Sequence, residues 1–376
     1  MRKVAVFFGG KSCENEISIL TGIFVMNLLD KEKYSVLPVY IHTDGGAYTS
    51  PKMFSLDTFK EKRYISFERI FFDGGSVYAL NGIKRKIKRL GRVDVALNCC
   101  HGGLGEGGGV SALMEWNNIP LASPDLTASG VFMDKYTTKL IMRALNVPTV
   151  DYIRVNEKDY EKRGAFLLKS IESRLKYPVV IKPSHLGSSI GISVAKDEGE
   201  ARGAIEKAFM LDDRVIIEKY LEEKQDVNCA AYSLNGEIFV SEAEQAFGDG
   251  IYSFEEKYVK RKRDGESTVN QEKGQSRCAL SGELREKIRS YTRTVYKRMD
   301  LRGVVRMDFL ISGKNVYLCE VNTVPGSLAY YLFCERIVDA KNFFSDLLED
   351  ALRRGNVKSK QLVTTGILRS VRWQGK

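Results

Sequence analysis

Two neighbouring strand-like segments near the C-terminal end contain the polar residues with the clearest chemical pattern. Residues 303–322 read GVVRMDFLISGKNVYLCEVN, two apolar runs joined by SGKN, which is typical of a β-hairpin. Side chains alternate between the two faces of a strand, so Arg306 and Asp308 share one face. Glu320 and Asn322 share a face of the return strand in the same way.

The length of the hairpin loop decides whether these two polar sets meet. A two-residue loop would pair Asp308 with Cys319, whereas a three-residue loop at 312–314 would pair Asp308 with Leu318. Only the three-residue loop directs the odd-numbered apolar residues of both strands into one core. We therefore predict this loop, with a shared polar face formed by Arg306, Asp308, Glu320 and Asn322.

These four residue types suit a metal and phosphate site. Carboxylate and amide oxygens are ligands that Mg²⁺ accepts together with phosphate oxygens, so Asp308, Glu320 and Asn322 are predicted metal ligands. Arg306 beside them could stabilise a developing oxyanion. The alternative is an exposed hairpin held by salt bridges.

A second candidate site follows an apolar strand in the middle of the chain. Lys182 is followed by HLGSSIG (185–191), whose backbone N–H groups could bind phosphate oxygens. The segment is not a Walker A loop, and no GxGxxG motif follows the first strand. Taken alone, it fits a plain turn between strands equally well.

The elements that position these residues change character along the chain. Short apolar runs at 3–8, 36–41 and 93–99 alternate with helical stretches such as 18–30, which predicts an α/β unit with a parallel sheet. After Pro124, helices and antiparallel strands predict an α+β arrangement. We expect domains at 1–123, 124–213 and 214–354, followed by a basic tail at 355–376.

Composition excludes several classes of protein. The net charge is +10, but the basic runs at 84–92 and 260–263 lack interleaved aromatics and any nucleic-acid-binding motif. We therefore expect these runs to form solvated basic faces, and we expect no binding of nucleic acid. Seven scattered cysteines with three histidines predict a reducing compartment and no zinc site. No apolar run approaches the roughly 18 residues of a membrane span, so we expect a cytoplasmic protein.

Eight short motifs, in this order, resemble those of the D-alanine:D-alanine ligases of the ATP-grasp superfamily. They are GGKSCENEIS, HGGLGEGG, MDKYTTK, IKPSHLGSSIG, IIEKYL, EEKY, RMDF and EVNTVPG, and they cover about residues 3–333. The resemblance implies an ATP-grasp fold with an N-terminal doubly wound parallel-sheet domain. It also implies a ligase that joins two amino acids using ATP and two Mg²⁺ ions, for which Mn²⁺ could substitute.

The resemblance also implies roles for individual residues. Phosphate contacts are expected from Lys135, Lys182 and the loop containing Ser189, and nucleoside contacts from Glu218, Lys219, Tyr220, Leu221 and Gln225. Metal binding is expected from Asp308, Glu320 and Asn322. The expected catalytic residues are Glu14, Ser188, Tyr258 and Arg306, and the expected substrate-binding residues are His101, Lys257, Gly326 and Tyr331. Family members commonly form dimers, so a homodimer is also implied.

Several positions depart from the family pattern. Tyr331 stands where the family has a serine that receives the carboxylate of the second amino acid. Gln225 replaces a ribose-binding glutamate, and Gly107 and Ser111 replace residues of the HGxxGEDGxxQ motif. Two alternatives therefore stay open at this stage. One is a ligase of the same fold with a different acceptor amino acid or a hydroxy acid, and the other is a catalytically silent nucleotide-binding protein.

Overall fold

A computed structural model describes residues 1–60, 67–81, 86–245 and 280–355. Lys257, Tyr258, the basic run at 260–263 and the tail after Gly355 lie outside these residues, so the predictions made for them stay predictions. In the described parts of the chain, no helix is both long enough and apolar enough to cross a membrane.

The N-terminal part of the chain forms a seven-stranded sheet with the strand order β6-β5-β4-β3-β2-β1-β7. Its strands are β1 (Arg2–Gly9), β2 (Tyr34–Ile41), β3 (Ala47–Thr49), β4 (Glu68–Asp73), β5 (Ser76–Asn81), β6 (Lys86–Arg92) and β7 (Val95–Asn98). Its helices are α1 (Asn15–Leu28), the one-turn α2 (Asp57–Lys60) and α3 (Val110–Trp116), with a 3₁₀ turn at Pro51–Phe54.

The predicted parallel arrangement is confirmed for one end of this sheet, where β1 pairs in parallel with both β2 and β7. The sheet is extended by β3 to β6, which pair antiparallel and were not predicted. The predicted solvated basic face is confirmed for β6, a largely exposed edge strand of lysines and arginines. Charged side chains of this kind discourage an edge strand from pairing with another chain.

Both faces of the parallel strands are buried, because alternate side chains of β1 enter different cores. Val4, Val6 and Phe8 pack in a core that includes α1 and the C-terminal helix α9 (Ala340–Arg354). Ala5 and Phe7 face the opposite core, which includes α3. This two-sided burial explains why the strand reads as a continuous apolar run.

The second half of the chain is built around two antiparallel sheets, as predicted. The four-stranded sheet has the order β10-β9-β11-β8, from β8 (Tyr152–Asn156), β9 (Val179–Pro183), β10 (Ser193–Ala195) and β11 (Arg214–Lys219). It is flanked by α6 (Glu157–Arg174) and α7 (Glu198–Phe209), and Asp197 caps α7 by accepting the Glu200 N–H. β11 belongs to this sheet although it lies beyond residue 213, where we expected the domain boundary.

The last sheet contains the predicted hairpin. Its order is β13-β12-β15-β16, with β14 paired to β12, from β12 (Gln225–Leu234), β13 (Glu237–Val240), β14 (Glu244–Gln245), β15 (Val305–Ser312) and β16 (Asn315–Asn322). Its core also receives residues from α4 (Leu126–Met133), α5 (Lys135–Ala144) and α8 (Gly282–Arg298). Short helical turns at Gly326–Leu332 and Ile337–Asp339 then lead to α9.

The predicted three-residue hairpin loop is wrong. Ser312 pairs with Asn315, so the loop has two residues, and a β-bulge at Cys319 shifts the register so that Asp308 pairs with Glu320. Leu318 is fully buried in the core, while Cys319 is on the other side of the strand and lines a cavity. The prediction that Arg306, Asp308, Glu320 and Asn322 share the polar face holds, for this different reason.

Candidate active site

A cavity lies where the three sheets meet, with about 880 Å³ of space, part of which is open to solvent. It brings together residues that are far apart in the sequence. The predicted site residues that line it are Glu14, His101, Lys135, Ser188, Arg306, Asp308, Glu320, Asn322 and Gly326.

The hairpin supplies one wall of the cavity. Arg306 donates from Nε and Nη2 to the two carboxylate oxygens of Asp308, at 2.7 and 2.9 Å. Asn322 Nδ2 donates to Asp308 Oδ2 at 3.0 Å, and Lys135 Nζ lies 3.7 Å from Glu320 Oε2. The carboxylates of Asp308 and Glu320 stand directly opposite each other on paired strands, an arrangement that needs neighbouring cations to be stable.

A buried ion network lies beside this wall. Glu218 accepts from Lys182 Nζ at 2.6 Å and forms an ion pair with Lys139 Nζ at 2.9 Å. Burial alone would raise the pKa of Glu218, but the two lysines outweigh it and lower the pKa to about 2. Burial likewise opposes the charge of Lys182, yet Cys319 and Glu218 keep its pKa above the ordinary value. Cys319 Sγ is 3.8 Å from Lys182 Nζ, and burial raises the pKa of this thiol.

Lys135 and the Ser188 loop are held in place by two carboxylates, Asp134 and Asp212. Asp134 caps α5 by accepting the Tyr136 N–H, and it also accepts from Ser184 Oγ at 2.8 Å at the end of β9. The His185 N–H donates to Asp212 at 2.7 Å, which fixes the start of the loop. Lys135 Nζ in turn donates to the Leu186 carbonyl, so α5 and the loop form one unit.

Glu14 and Ser188 form the opposite wall of the cavity. Glu14 is the N-cap residue of α1, but its side chain does not cap the helix and instead accepts a hydrogen bond from Ser188 Oγ. Two glycines enclose this carboxylate, since a Cβ at Gly102 or Gly187 would lie 2.5 or 2.8 Å from Glu14 Oε2. The chain therefore leaves just enough room for Glu14, whose helix-start position is also favourable for a negative charge.

Two further titratable groups lie in the cavity wall. Burial lowers the pKa of His101 to about 4, so its imidazole is neutral at pH 7, and Nε2 lies 2.9 Å from Thr21 Oγ1. Burial raises the pKa of Glu106 to about 7, and nearby Glu14 and Glu320 act in the same direction. Glu106 accepts the Gly102 N–H at 2.8 Å and the Val324 N–H at 3.2 Å.

Tyr331 contacts the site through Arg306. Arg306 Nη1 donates to the phenol oxygen of Tyr331 at 3.1 Å, on the side of the guanidinium away from Asp308. The preceding residues Ser327, Leu328 and Ala329 all have φ values near +50°, a left-handed conformation that costs non-glycine residues energy. The Ser327 N–H donates to Thr21 Oγ1 at 3.3 Å, which ties this segment to α1.

The residues expected to bind the nucleoside lie outside the cavity wall. Lys219 ends β11 and Tyr220 follows it, and their backbone N–H groups donate to the Asp151 and Pro178 carbonyls at 2.9 and 3.3 Å. Gln225 begins β12 and pairs with Ile311. Leu221 lies between these two elements, and Ser189 has a left-handed φ of 61° in the loop after β9.

Comparison with known proteins decides the family. The D-ala D-ala ligase N-terminus model matches residues 3–124, and the D-ala D-ala ligase C-terminus model matches residues 141–353. The chain belongs to the D-alanine–D-alanine ligase family. It is therefore an ATP-dependent ligase with the ATP-grasp fold, as the motifs suggested.

Curated relatives in this family match over most of their length. A D-alanine–D-alanine ligase of Thermosipho africanus is 34% identical over 338 residues, covering 89% of this chain and 88% of the relative. One from Thermosipho melanesiensis is 30% identical over 375 residues, covering 98% and 99%. The crystal structure of the Helicobacter pylori D-alanine–D-alanine ligase aligns with a TM-score of 0.74 and 25% identity, covering 96% of this chain and all of that chain.

Sequence reasoning missed three residues that the structure of this ligase places at the site. Lys139 follows Lys135 by one helical turn in MDKYTTK, so the helical spacing could have indicated that both face the same side. Glu106 lies in HGGLGEGG, where only His101 was assigned a role. Cys319 was assigned to the core because the predicted three-residue loop puts it there, whereas the observed two-residue loop puts it on the cavity face.

Proposed function

We propose that this ligase joins two D-alanine molecules into D-alanyl-D-alanine, for peptidoglycan precursor synthesis, through an acyl phosphate formed from ATP. The observation that carries the proposal is a single cavity in which Arg306 and three oxygen-bearing side chains face the Glu14–Ser188 pair. Lys135 contributes a positive charge to the same cavity, and Lys182 lies behind Cys319.

The residues of the hairpin fit a divalent cation. Asp308 and Glu320 stand opposite each other, and Asn322 uses its amide nitrogen towards Asp308, which leaves its oxygen available. A set of carboxylate and amide oxygens is typical of Mg²⁺ sites. Bound Mg²⁺ would neutralise charge on the phosphates of ATP, and we propose Asp308, Glu320 and Asn322 as its ligands.

The first step is phosphoryl transfer to the carboxylate of the first amino acid. We assign Glu14, held by Ser188, to the ammonium group of that substrate, and Lys135, Lys182 and the loop containing Ser189 to the phosphates. A carboxylate oxygen attacks the γ-phosphorus, the bond between that phosphorus and the ADP oxygen breaks, and an acyl phosphate and ADP result. Catalysis at this step comes from alignment and charge stabilisation.

In the second step the amine of the second amino acid attacks the acyl carbon. The amine loses a proton, the bond between the acyl carbon and the phosphate oxygen breaks, and phosphate leaves. Arg306 would stabilise the oxyanion of the tetrahedral intermediate. Neutral His101 is proposed to orient substrate. Lys257 and Tyr258, outside the described residues, are proposed to cover the site and exclude water.

One observation favours a second candidate for the acceptor. Tyr331 replaces the serine expected from the family pattern, and its oxygen accepts from Arg306. A phenol fills more space than a hydroxymethyl group, so the second site could favour an amino acid or hydroxy acid other than D-alanine. Only the acceptor differs between the two candidates, because the first step uses the same residues.

The test is a substrate panel with purified protein, ATP and Mg²⁺. ADP release is measured with single and paired D-amino acids, L-amino acids and D-lactate, and products are identified by mass spectrometry. D-alanine alone should stimulate ADP release and yield its dipeptide, with Arg306→Ala as the inactive control. No stimulation by D-alanine, together with stimulation by another pair, would transfer the proposal to the second candidate. ATP binding without turnover on any pair would refute both.

The remaining proposals concern assembly and location. We propose a cytoplasmic homodimer, since ATP and the amino acid substrates are found there and family members commonly pair. Light scattering coupled to gel filtration should give twice the 42.4 kDa chain mass. A monomer mass at micromolar concentration would refute the dimer.

A further inference from the structure

Glu106 bridges two segments of the cavity wall that are distant in the sequence. It lies in the Gly105–Gly109 turn that precedes α3. Its Oε2 accepts the Gly102 N–H at 2.8 Å, and its Oε1 accepts the Val324 N–H at 3.2 Å and the Thr323 hydroxyl at 3.4 Å. One carboxylate therefore accepts hydrogen bonds from three donors, and it uses both of its oxygens to do so.

One of the two segments that Glu106 joins leads to Glu14, and the other leads through the Gly326–Leu332 turn to Tyr331, which stands at the position expected to receive the second amino acid. On the Oε2 side, Gly102 lies against Glu14, the residue assigned to the first amino acid. On the Oε1 side, Thr323 and Val324 are buried and connect Asn322 at the end of β16 to Gly326, which lines the cavity. His101, which precedes Gly102, and Val324 both line the cavity, so the two segments form parts of the same wall.

We propose that Glu106 is a positioning residue that holds the Thr323–Gly326 segment at a fixed distance from Glu14, so that the second amino acid meets the acyl phosphate before water does. The inference rests on the proposed function. Misplacement of the reacting amine by about 1 Å is enough to slow attack by about a hundredfold. Glu106 itself needs to touch neither substrate for this effect.

Loss of this alignment has a specific chemical signature. If the amine is misplaced, water attacks the acyl carbon, the bond from that carbon to the phosphate oxygen breaks, and free amino acid and phosphate are released. ATP is then consumed without peptide formation. The ratio of dipeptide to ADP measures alignment, whereas a general loss of structure lowers both products together.

Glu106→Gln is the sharpest perturbation because it keeps the shape of the side chain. Its amide carries one acceptor oxygen and one donor nitrogen, so either the Gly102 side or the Val324 side loses its acceptor. We expect the dipeptide-to-ADP ratio to fall by about tenfold, the size of effect usual for a buried donor left unsatisfied. The KM for ATP should change by less than about twofold, because Lys135 and Lys182 are untouched.

The matched control is Glu115→Gln on α3, where an exposed carboxylate accepts the single Leu126 N–H at 3.1 Å. A glutamine oxygen can accept that bond, so its ratio should equal that of the unaltered protein. If Glu106→Gln keeps the ratio, or lowers ADP and dipeptide in equal proportion, the positioning role is wrong. If Glu106→Gln fails to fold, the same measurement is made on Thr323→Val. We expect its dipeptide-to-ADP ratio to fall at least about twofold, and an unchanged ratio would refute the positioning role. Absence of ADP release by the unaltered protein would instead refute the proposed function.

Discussion

The buried network of Glu218, Lys139 and Lys182 gives a stability prediction whose size follows from the structure. Glu218→Gln keeps the side-chain volume but removes the negative charge between two lysines. Lys139 is 1% exposed and Lys182 is 8% exposed, so neither cation can turn to water without moving the chain. We therefore expect a lower free energy of unfolding at pH 7.

The size of the loss can be worked out from the carboxylate. The pKa of Glu218 is about 2 in the folded protein and 4.5 in its ordinary state. At about 1.4 kcal/mol for each tenfold change in proton affinity, this difference corresponds to about 3 kcal/mol of stabilisation. Breaking a buried ion pair by removing one partner costs about 3 to 5 kcal/mol, which agrees in size.

The dependence on pH has a defined sign. Because the folded pKa is depressed, the stabilisation is fully present above the unfolded pKa of 4.5 and is lost as pH falls towards 2. The difference between the unaltered protein and Glu218→Gln should therefore be the same at pH 7 and pH 6. It should begin to shrink only below about pH 4.5.

Urea unfolding followed by far-ultraviolet circular dichroism measures the effect. The matched control is Glu198→Gln, which breaks an exposed pair with Arg202 at 3.4 Å and should cost no more than about 0.5 kcal/mol. The KM for ATP should rise for Glu218→Gln alone, since Lys182 loses the partner that orients it. A loss below about 1 kcal/mol at pH 7, or a difference that grows in acid, would refute the reasoning.

Three further outcomes are expected. Arg306→Ala should lower kcat by about a hundred- to a thousandfold in the ADP-release assay, as for removal of an oxyanion donor, while ATP binding measured by calorimetry is retained. Tyr331→Phe removes the acceptor of Arg306 Nη1. It should lower kcat by about tenfold and leave the KM for ATP unchanged. An unchanged kcat would show that Tyr331 does not orient Arg306. Cys319 lines the cavity beside Lys182, so ATP with Mg²⁺ should slow its alkylation by iodoacetamide, measured by peptide mass spectrometry. Alkylation of the exposed Cys13 should not be slowed. Equal alkylation rates of Cys319 with and without ATP would place the nucleotide elsewhere.

The hydrophobic pattern of the sequence was enough to predict the strands whose side chains are buried on both faces. The parallel strands β1, β2 and β7 read as apolar runs because both of their faces are buried. The strands β3 to β6 were missed because they are short or exposed on one side. β6 in particular reads as a run of cations.

The hairpin shows why a correct site can be predicted from an incorrect register. A three-residue loop and a bulge each change the strand offset by one residue, so either one puts Glu320 and Asn322 on the face of Asp308. Only the two-residue loop with the bulge keeps both Val316 and Leu318 in the core, where they are 4% and 0% exposed. Sequence alternation cannot distinguish the two, because Tyr317, Leu318 and Cys319 are all acceptable in a core. The two-residue loop puts Cys319 on the face of Asp308, 3.8 Å from Lys182, and the bulge adds Glu320 and Asn322 to that face, so the lysine network lies next to the strand that carries them.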